Sequence, residues 1–335
     1  MLTKEQLNQL FEDFNSLNIL IIGDVMVDAY YWGKVDRISP EAPVPIVAVE
    51  KKESRLGGAA NVALNIQAMG ATPILCSVIG NDDEGKEFVN LVAKNQQTDR
   101  GILRSNNRRT TKKTRIIGNH HQMLRVDAED IQPIDKTEEK DFFDRIKNIV
   151  EDQKVDAIIF EDYDKGVITA TLIEKVVALA QKKSIPTAVD PKKRNFMSYK
   201  EVDLFKPNLK ELKEGLKIDL NVNNTAELEK AINQLEAKLQ NKHTLITLSE
   251  KGVYVHSREN QEKHHIKAHH RDITDVSGAG DTVISIATLC LATNLDLRLM
   301  AEIANLAGGL VCENVGVVPI DKAALKAEAQ KVLLG

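Results

Sequence analysis

VDAIIFEDYDKGVITATLIEKVVALAQKKSIPTAVDP (155–191) decides the fold class. It holds two short apolar runs, VDAIIFED (155–162) and IPTAVDP (185–191), on either side of an amphipathic segment at 169–183. A strand that is apolar along its whole length has both faces buried, and strand, helix, strand is the parallel crossover unit. The alternation extends outward through NILIIGD (18–24), PILCSVIG (73–80), DLFKPN (203–208) and HTLITLSEKG (243–252), with amphipathic segments near 83–97, 137–151 and 224–240. The pattern predicts an α/β protein with a mostly parallel central sheet covered by helices on both faces. Several runs end in a carboxylate or amide: Gly23-Asp24, Glu161-Asp162, Asp190 and Asn208. Ligands of open α/β sheets bind beyond the carboxyl ends of the strands, so these residues are functional candidates.

Two stretches break this rhythm. GKVDRISPEAPVPIVAVEKKE (33–53) carries three prolines and alternating apolar residues, and RRTTKKTRIIGNHHQMLRVD (108–127) is rich in Thr, Ile and charge. Proline is excluded from central strands, so both read as edge strands or a separate small sheet. The expectation is one domain over 1–335 with a β lid formed by about 33–53 and 106–127, since the chain shows no long linker, low-complexity run or internal repeat. At the N-terminus Leu7, Leu10, Phe11 and Phe14 recur at helical spacing and predict a docked helix.

The 335 residues are 42% apolar and carry 45 Lys and Arg against 49 Asp and Glu, a formal charge of −4. That composition excludes a disordered chain and gives no overall basic surface for nucleic acid. Cys76, Cys290 and Cys312 stand far apart in apolar surroundings, which reads as three core residues rather than a disulfide or thiolate site. The longest uncharged run, Thr282 to Leu295, falls short of the ~18 residues that cross a bilayer, so a cytoplasmic protein is expected.

Four local patterns bear on chemistry. Gly80-N-D-D-E-Gly85-Lys86 resembles a P-loop, but Glu87 replaces the magnesium-binding hydroxyl, and Asp82, Asp83 and Glu84 would repel phosphate. It reads as a strand-to-helix turn whose acids begin a helix. HHIKAHH places His264, His265, His269 and His270 close together, yet strand alternation scatters the rings, so a surface strand is favoured over zinc. In DVSGAGDTVISIATLC (275–290), Gly278-Ala279-Gly280 opens a long apolar helix, and Asp281 falls in its first turn. Bare backbone amides there suit an anion, and a carboxylate beside them completes what phosphoryl transfer to a hydroxyl needs, although an acid complementing the helix dipole is the plain alternative. In GGAANVALNIQAMG (57–70), Gly57, Gly58 and Asn61 stand at another helix start, suited to sugar hydroxyls or simply to close packing.

GGAANVALNIQAMG followed by GATPILCSVIGNDDEG, with DVSGAGD near the C-terminus, resembles the ribokinase-like (PfkB) carbohydrate kinases in order and spacing, from about Asn18 to Pro319. GDVMVDAYYWGKVDRISPEAPVPIV (23–47), EDYDKGV (161–167), VDPKK (189–193) and KPNLKE (206–211) are similar to its heptose-7-phosphate kinase branch. The resemblance implies the three-layer ribokinase-like fold, ATP and Mg2+ as cofactors, and phosphorylation of an anomeric hydroxyl on the ADP-heptose route to lipopolysaccharide. A monovalent-cation requirement stays open. Asp281 would be the general base and the amides of Gly278, Ala279 and Gly280 the anion hole. Asp24, Asp28, Gly57, Gly58, Asn61, Asp162 and Lys192 would meet the sugar. Asn208 and Glu211 match an N-x-x-E pattern that organises magnesium, through water, and Thr247, Ser249, Gly252 and Asn305 would serve the nucleotide. One departure stands out: TLSEKG (247–252) has Ser249 where many relatives have glycine.

The acid-free run Arg104, Arg108, Arg109, Lys112, Lys113 and Arg115 reads first as a solvated lid face, and with Lys192, Lys193 and Arg194 it could meet a sugar phosphate. The expected partners are a sugar phosphate, ATP and a second copy joined through the lid, with no nucleic acid and no membrane. No H-x-G-H motif is present, so adenylyl transfer is expected of a separate protein. The rival readings are a kinase for fructose, ribose or a phosphohexose, and a non-catalytic sugar- or nucleotide-binding regulator.

Overall fold

The structure, a computed structural model, describes residues 2–334. Thirteen strands run in chain order: β1 (Asn18–Gly23), β2 (Val25–Ile38), β3 (Pro45–Gly58), β4 (Thr72–Gly80), β5 (Gly101–Ser105), β6 (Thr111–Gly118), β7 (His121–Ala128), β8 (Ala157–Glu161), β9 (Thr187–Asp190), β10 (Leu204–Phe205), β11 (His243–Thr247), β12 (Val253–Ser257) and β13 (Lys263–Ile266). Nine form the main sheet in the order β13-β12-β11-β10-β9-β8-β1-β4-β5, and only β12 runs against the others. The predicted strand at 203–208 shrinks to Leu204–Phe205, because Pro207 ends the ladder.

The central strands are buried on both faces, and side-chain alternation sends successive residues to opposite cores. Ile19, Ile21 and Ile159 join a core under helices Ala59–Ala68, Ala279–Ala292 and Leu297–Val311. Leu20, Ile22 and Phe160 join the other, under helices Lys136–Asp152, Ala170–Lys183 and Thr225–Leu239. Sheet and two helical faces make three layers. The N-terminal helix Lys4–Asp13 buries Leu7, Leu10 and Phe11, and all three cysteines are buried and free.

A second sheet, ordered β3-β2-β6-β7, takes in more chain than the stretches at 33–53 and 106–127. It begins at Val25, with only Asp24 between it and the end of β1, and its β3 continues to Gly58. The segment 25–32 is as apolar as a core strand, which hid its membership of the small sheet. The prolines behave as steric argument requires: Pro40 and Pro43 lie in the β2–β3 turn, and Pro45 opens the edge strand. Asp24 sits at the junction of the two sheets.

The P-loop look-alike is a turn. Asp82 caps helix Asp83–Lys94 through the Gly85 amide at 2.8 Å and also accepts from the Thr110 hydroxyl at 2.7 Å. His264 and His265 lie on β13, one against Glu262 and the other against the Lys251 carbonyl.

Candidate active site

Most helices of the molecule open on a capping side chain, such as Asp135 or Thr169. The two starting at Gly58 and Gly278 have no such side chain; the Ala59 amide goes to the Asp24 carbonyl at 2.9 Å and the Ala279 amide to the Val276 carbonyl at 3.3 Å, and no side chain caps the amides that follow in either first turn. Gly278 takes φ +80°, and a Cβ there would press to 3.1 Å from Asn61 Nδ2 and 3.2 Å from Val317. Gly58 takes φ +62°, where a Cβ would meet the Asp24 carbonyl at 2.4 Å. The positive φ favours glycine at both positions, and at Gly58 the Asp24 carbonyl leaves no room for a side chain either.

Asp281, 6% exposed, projects from the first turn of helix Ala279–Ala292. Asn61 Nδ2 donates to its Oδ2 at 2.6 Å and the Tyr163 hydroxyl donates to its Oδ1 at 2.8 Å. Burial raises its carboxyl to about 6, with the two hydrogen bonds pulling the other way. Glu161 at the end of β8 and Asp190 at the end of β9 converge with Asp281, their oxygens within 4.8 Å of one another. Lys206 Nζ holds Asp190 Oδ2 at 2.8 Å. Burial would raise the Asp190 carboxyl, but Lys206 and Lys192 outweigh it and hold it below the usual range. Glu161 has no such partner among the described residues, so burial and the neighbouring acids push its carboxyl well up.

Beside this cluster, Asn208 caps helix Leu209–Leu216 in a reciprocal box: its Oδ1 accepts from the Glu211 amide, and Glu211 Oε2 accepts from the Asn208 amide, both at 2.8 Å. N-x-x-E is thus also a helix start, which explains its spacing. The other Glu211 oxygen pairs with Lys192 at 2.6 Å, so Lys192 sits with Glu211 and Asp190 rather than with Asp28 and Gly57. Thr247 bridges to Asn208. Ser249 takes φ +54°, the conformation that explains a glycine preference there. Gly252 packs on the Ile266 carbonyl, and Asn305 Nδ2 donates to the Lys267 carbonyl.

On the small-sheet side, a Cβ at Gly57 would strike Asp28 Oδ2 at 2.1 Å, so these two residues adjoin, and Arg115 pairs with Asp28 at 2.5 Å. Two of the sugar candidates are engaged by the protein itself in this structure. Asp24, 1% exposed, accepts from the amides of Tyr163, Lys165 and Val167, and so builds the loop after β8. Asp162 points into the opposite core, where Asn195 and the Tyr199 hydroxyl donate to it. Alternation carried one residue past the end of β8 explains the second case, since Glu161, the last residue of the strand, takes the site side. Tyr163 and Lys206 were missed as well. The position of Lys206 directly before the Pro207-Asn208 strand end was the available signal.

The basic run is largely paired: Lys112 with Glu87, Arg109 with Asp130, and Arg108 with the Lys165 carbonyl. Half-buried Lys113 makes no ion pair among the described residues, and burial with neighbouring Lys165 holds its ammonium below the usual range.

A glycine helix start beside a buried carboxylate, at the carboxyl ends of a mostly parallel sheet, has the parts that moving a phosphoryl group requires. The model of the pfkB family carbohydrate kinases matches residues 16–323, and the chain belongs to that family. The bifunctional protein HldE of Aliarcobacter butzleri is 39% identical over 300 residues, which cover 89% of this chain and 61% of the relative. This chain therefore spans about three fifths of that relative. The fold matches Escherichia coli phosphofructokinase-2 in complex with potassium at TM-score 0.73 and 18% identity, over 93% of this chain and 98% of that one. It also matches Arabidopsis thaliana ribokinase complexed with ribose and ATP at TM-score 0.70 and 15% identity, over 92% and 98%. The ribokinase-like α/β fold expected from the sequence is the fold observed.

Proposed function

We propose that the chain transfers the γ-phosphoryl of ATP to the anomeric hydroxyl of D-glycero-β-D-manno-heptose 7-phosphate, giving the 1,7-bisphosphate on the route to ADP-heptose and lipopolysaccharide. The observation that carries the chemistry is the Asp281 carboxylate, buried at an uncapped glycine helix start between two hydrogen-bond donors. The heptose assignment is supported by the stretches at 23–47 and 161–167 and by similarity to relatives named bifunctional protein HldE. Half-buried Lys113, without an acid of its own, offers a cation to the sugar's existing phosphate.

In this reading Asp281 takes the proton of the attacking hydroxyl. A carboxylate suffices because phosphoryl transfer runs through a loose transition state, and a carboxyl near 6 is a stronger base than an ordinary one. The amides of Gly278, Ala279 and Gly280 meet charge on the transferring oxygens, where a single donor contributes about 10²–10³ in rate. Asp28, Gly57, Gly58 and Asn61 form the sugar side, and Thr247, Ser249, Gly252 and Asn305 the nucleotide side. Asn208 and Glu211 fit magnesium: their side chains offer oxygen donors, and both are already engaged in the cap and the Lys192 pair, which suits a hold through water. When bound, magnesium neutralises the charge of the ATP phosphates. The small sheet acts as a lid over a single domain, and its exposed apolar residues Leu124 and Val126, 58% and 50% exposed, fit pairing with a second copy.

Phosphorus NMR of the products from ATP, magnesium and a sugar panel tests the assignment. A new anomeric phosphate formed with heptose 7-phosphate alone supports it, and equal turnover of fructose contradicts it.

A further inference from the structure

Resting on the reading of Asp281 as the base, we propose that Tyr163 is its positioning residue: the phenol pins one carboxylate oxygen, so that Asp281 is fixed between Tyr163 and Asn61 before substrate arrives. The two donors come from different elements, the loop after β8 and helix Ala59–Ala68, and each takes a different oxygen, at 2.8 and 2.6 Å. Two contacts on two oxygens fix the plane of the carboxylate as well as its distance, and such orientation is what converts a weak base into an effective one.

Tyr163 is itself held on every side. Asp24 anchors its loop, with Oδ2 accepting from the Tyr163 and Lys165 amides at 2.9 and 3.1 Å and Oδ1 from the Val167 amide at 3.0 Å. The loop needs that anchor, because Asp164 and Gly166 take positive φ values of 56° and 88°. Two cations lie near the ring centroid, Lys192 of the main body at 5.5 Å and Lys113 of the small sheet at 5.9 Å. Tyr163 therefore links the small sheet, the junction residue Asp24 and the base. The charged groups that face Asp281 are Glu161 from β8, Asp190 from β9 and Lys206 from the end of β10, with Asn61 and Tyr163 as the neutral donors. A phenol donating to a carboxylate favours its ionised form, so Tyr163 also tempers the effect of burial and of the two neighbouring acids.

The test is the pH dependence of kcat/KM for ATP-dependent phosphorylation of heptose 7-phosphate in wild type, Tyr163→Phe and Asp281→Asn. Phenylalanine keeps the ring beside the two lysines and removes only the hydroxyl. The inference expects the acid limb of Tyr163→Phe to move to higher pH by about one unit, with KM for ATP unchanged. An unmoved limb, with activity either unchanged or lowered equally at all pH values, overturns the inference while the base reading stands, provided that Asp281→Asn has lost turnover. Retained turnover in Asp281→Asn overturns the base reading and this inference with it.

Discussion

The ammonium of Lys206 lies 2.8 Å from Asp190 Oδ2, with only 3% and 5% of the two side chains exposed, and it is the buried cation closest to three converging carboxylates. Glu161 and Asp281 complete the set. Removing the cation leaves Asp190 charged, buried and beside two acids. Lys206→Met should lower the unfolding free energy by about 3–5 kcal/mol, the usual result of stranding one partner of a buried pair. Urea unfolding measures it, and an unchanged midpoint would show that Lys192 alone balances the cluster.

Asp281 works against the stability of the fold it serves. Its carboxyl stands at about 6 when folded against an ordinary 3.8, so the folded state binds the proton more tightly than the unfolded chain. Stability therefore falls as pH rises between those values, and the full cost is present above about 6. Asp281→Asn removes that cost, and Asn61 can turn its unpartnered Oδ1 toward the new amide. The variant should melt at a higher temperature than wild type at pH 8, with the gain shrinking by pH 5. Equal melting curves at both values would contradict the raised carboxyl.

Gly278 is the point where backbone and chemistry meet. Alanine there must hold φ near +80° and push its methyl against Asn61, the residue that holds Asp281. The strain is about 1–2 kcal/mol, but the displacement reaches the base. Gly278→Ala should lower kcat at least tenfold while melting within a few degrees of wild type. A proportionate loss of both would make the glycine a packing residue only.

Glu211 has two roles that one substitution separates. Glutamine at the third helical position preserves the box with Asn208 but removes the charge beside Lys192. Glu211→Gln should keep its melting temperature and need several-fold more magnesium for half-maximal turnover. An unchanged magnesium requirement would leave the residue as a cap alone.

Much of this was legible in the sequence. Continuous apolar runs such as AIIF at 157–160 have one physical solution, a central strand buried on both faces, and the glycine starts at 57–58 and 278–280 mark places where backbone meets ligand. Less legible was which strand-end acid faces which way. Glu161 and Asp162 are equivalent in composition, and only the register of β8 against β1 and β9 sends one to Asp281 and the other to Tyr199. Tyr163 was invisible for a different reason: its hydrogen bond spans 118 residues and depends on the loop that Asp24 shapes. The onset of the small sheet at Val25 was hidden because its first residues are buried like those of β1.

The central claim is that Asp281 removes the proton of the attacking hydroxyl, and Asp281→Asn tests it most directly. Steady-state turnover with heptose 7-phosphate should fall by three orders of magnitude or more, on the order of what loss of general-base action and charge brings, while ATP affinity measured by calorimetry stays at the wild-type value. A variant that keeps a substantial kcat would contradict the account.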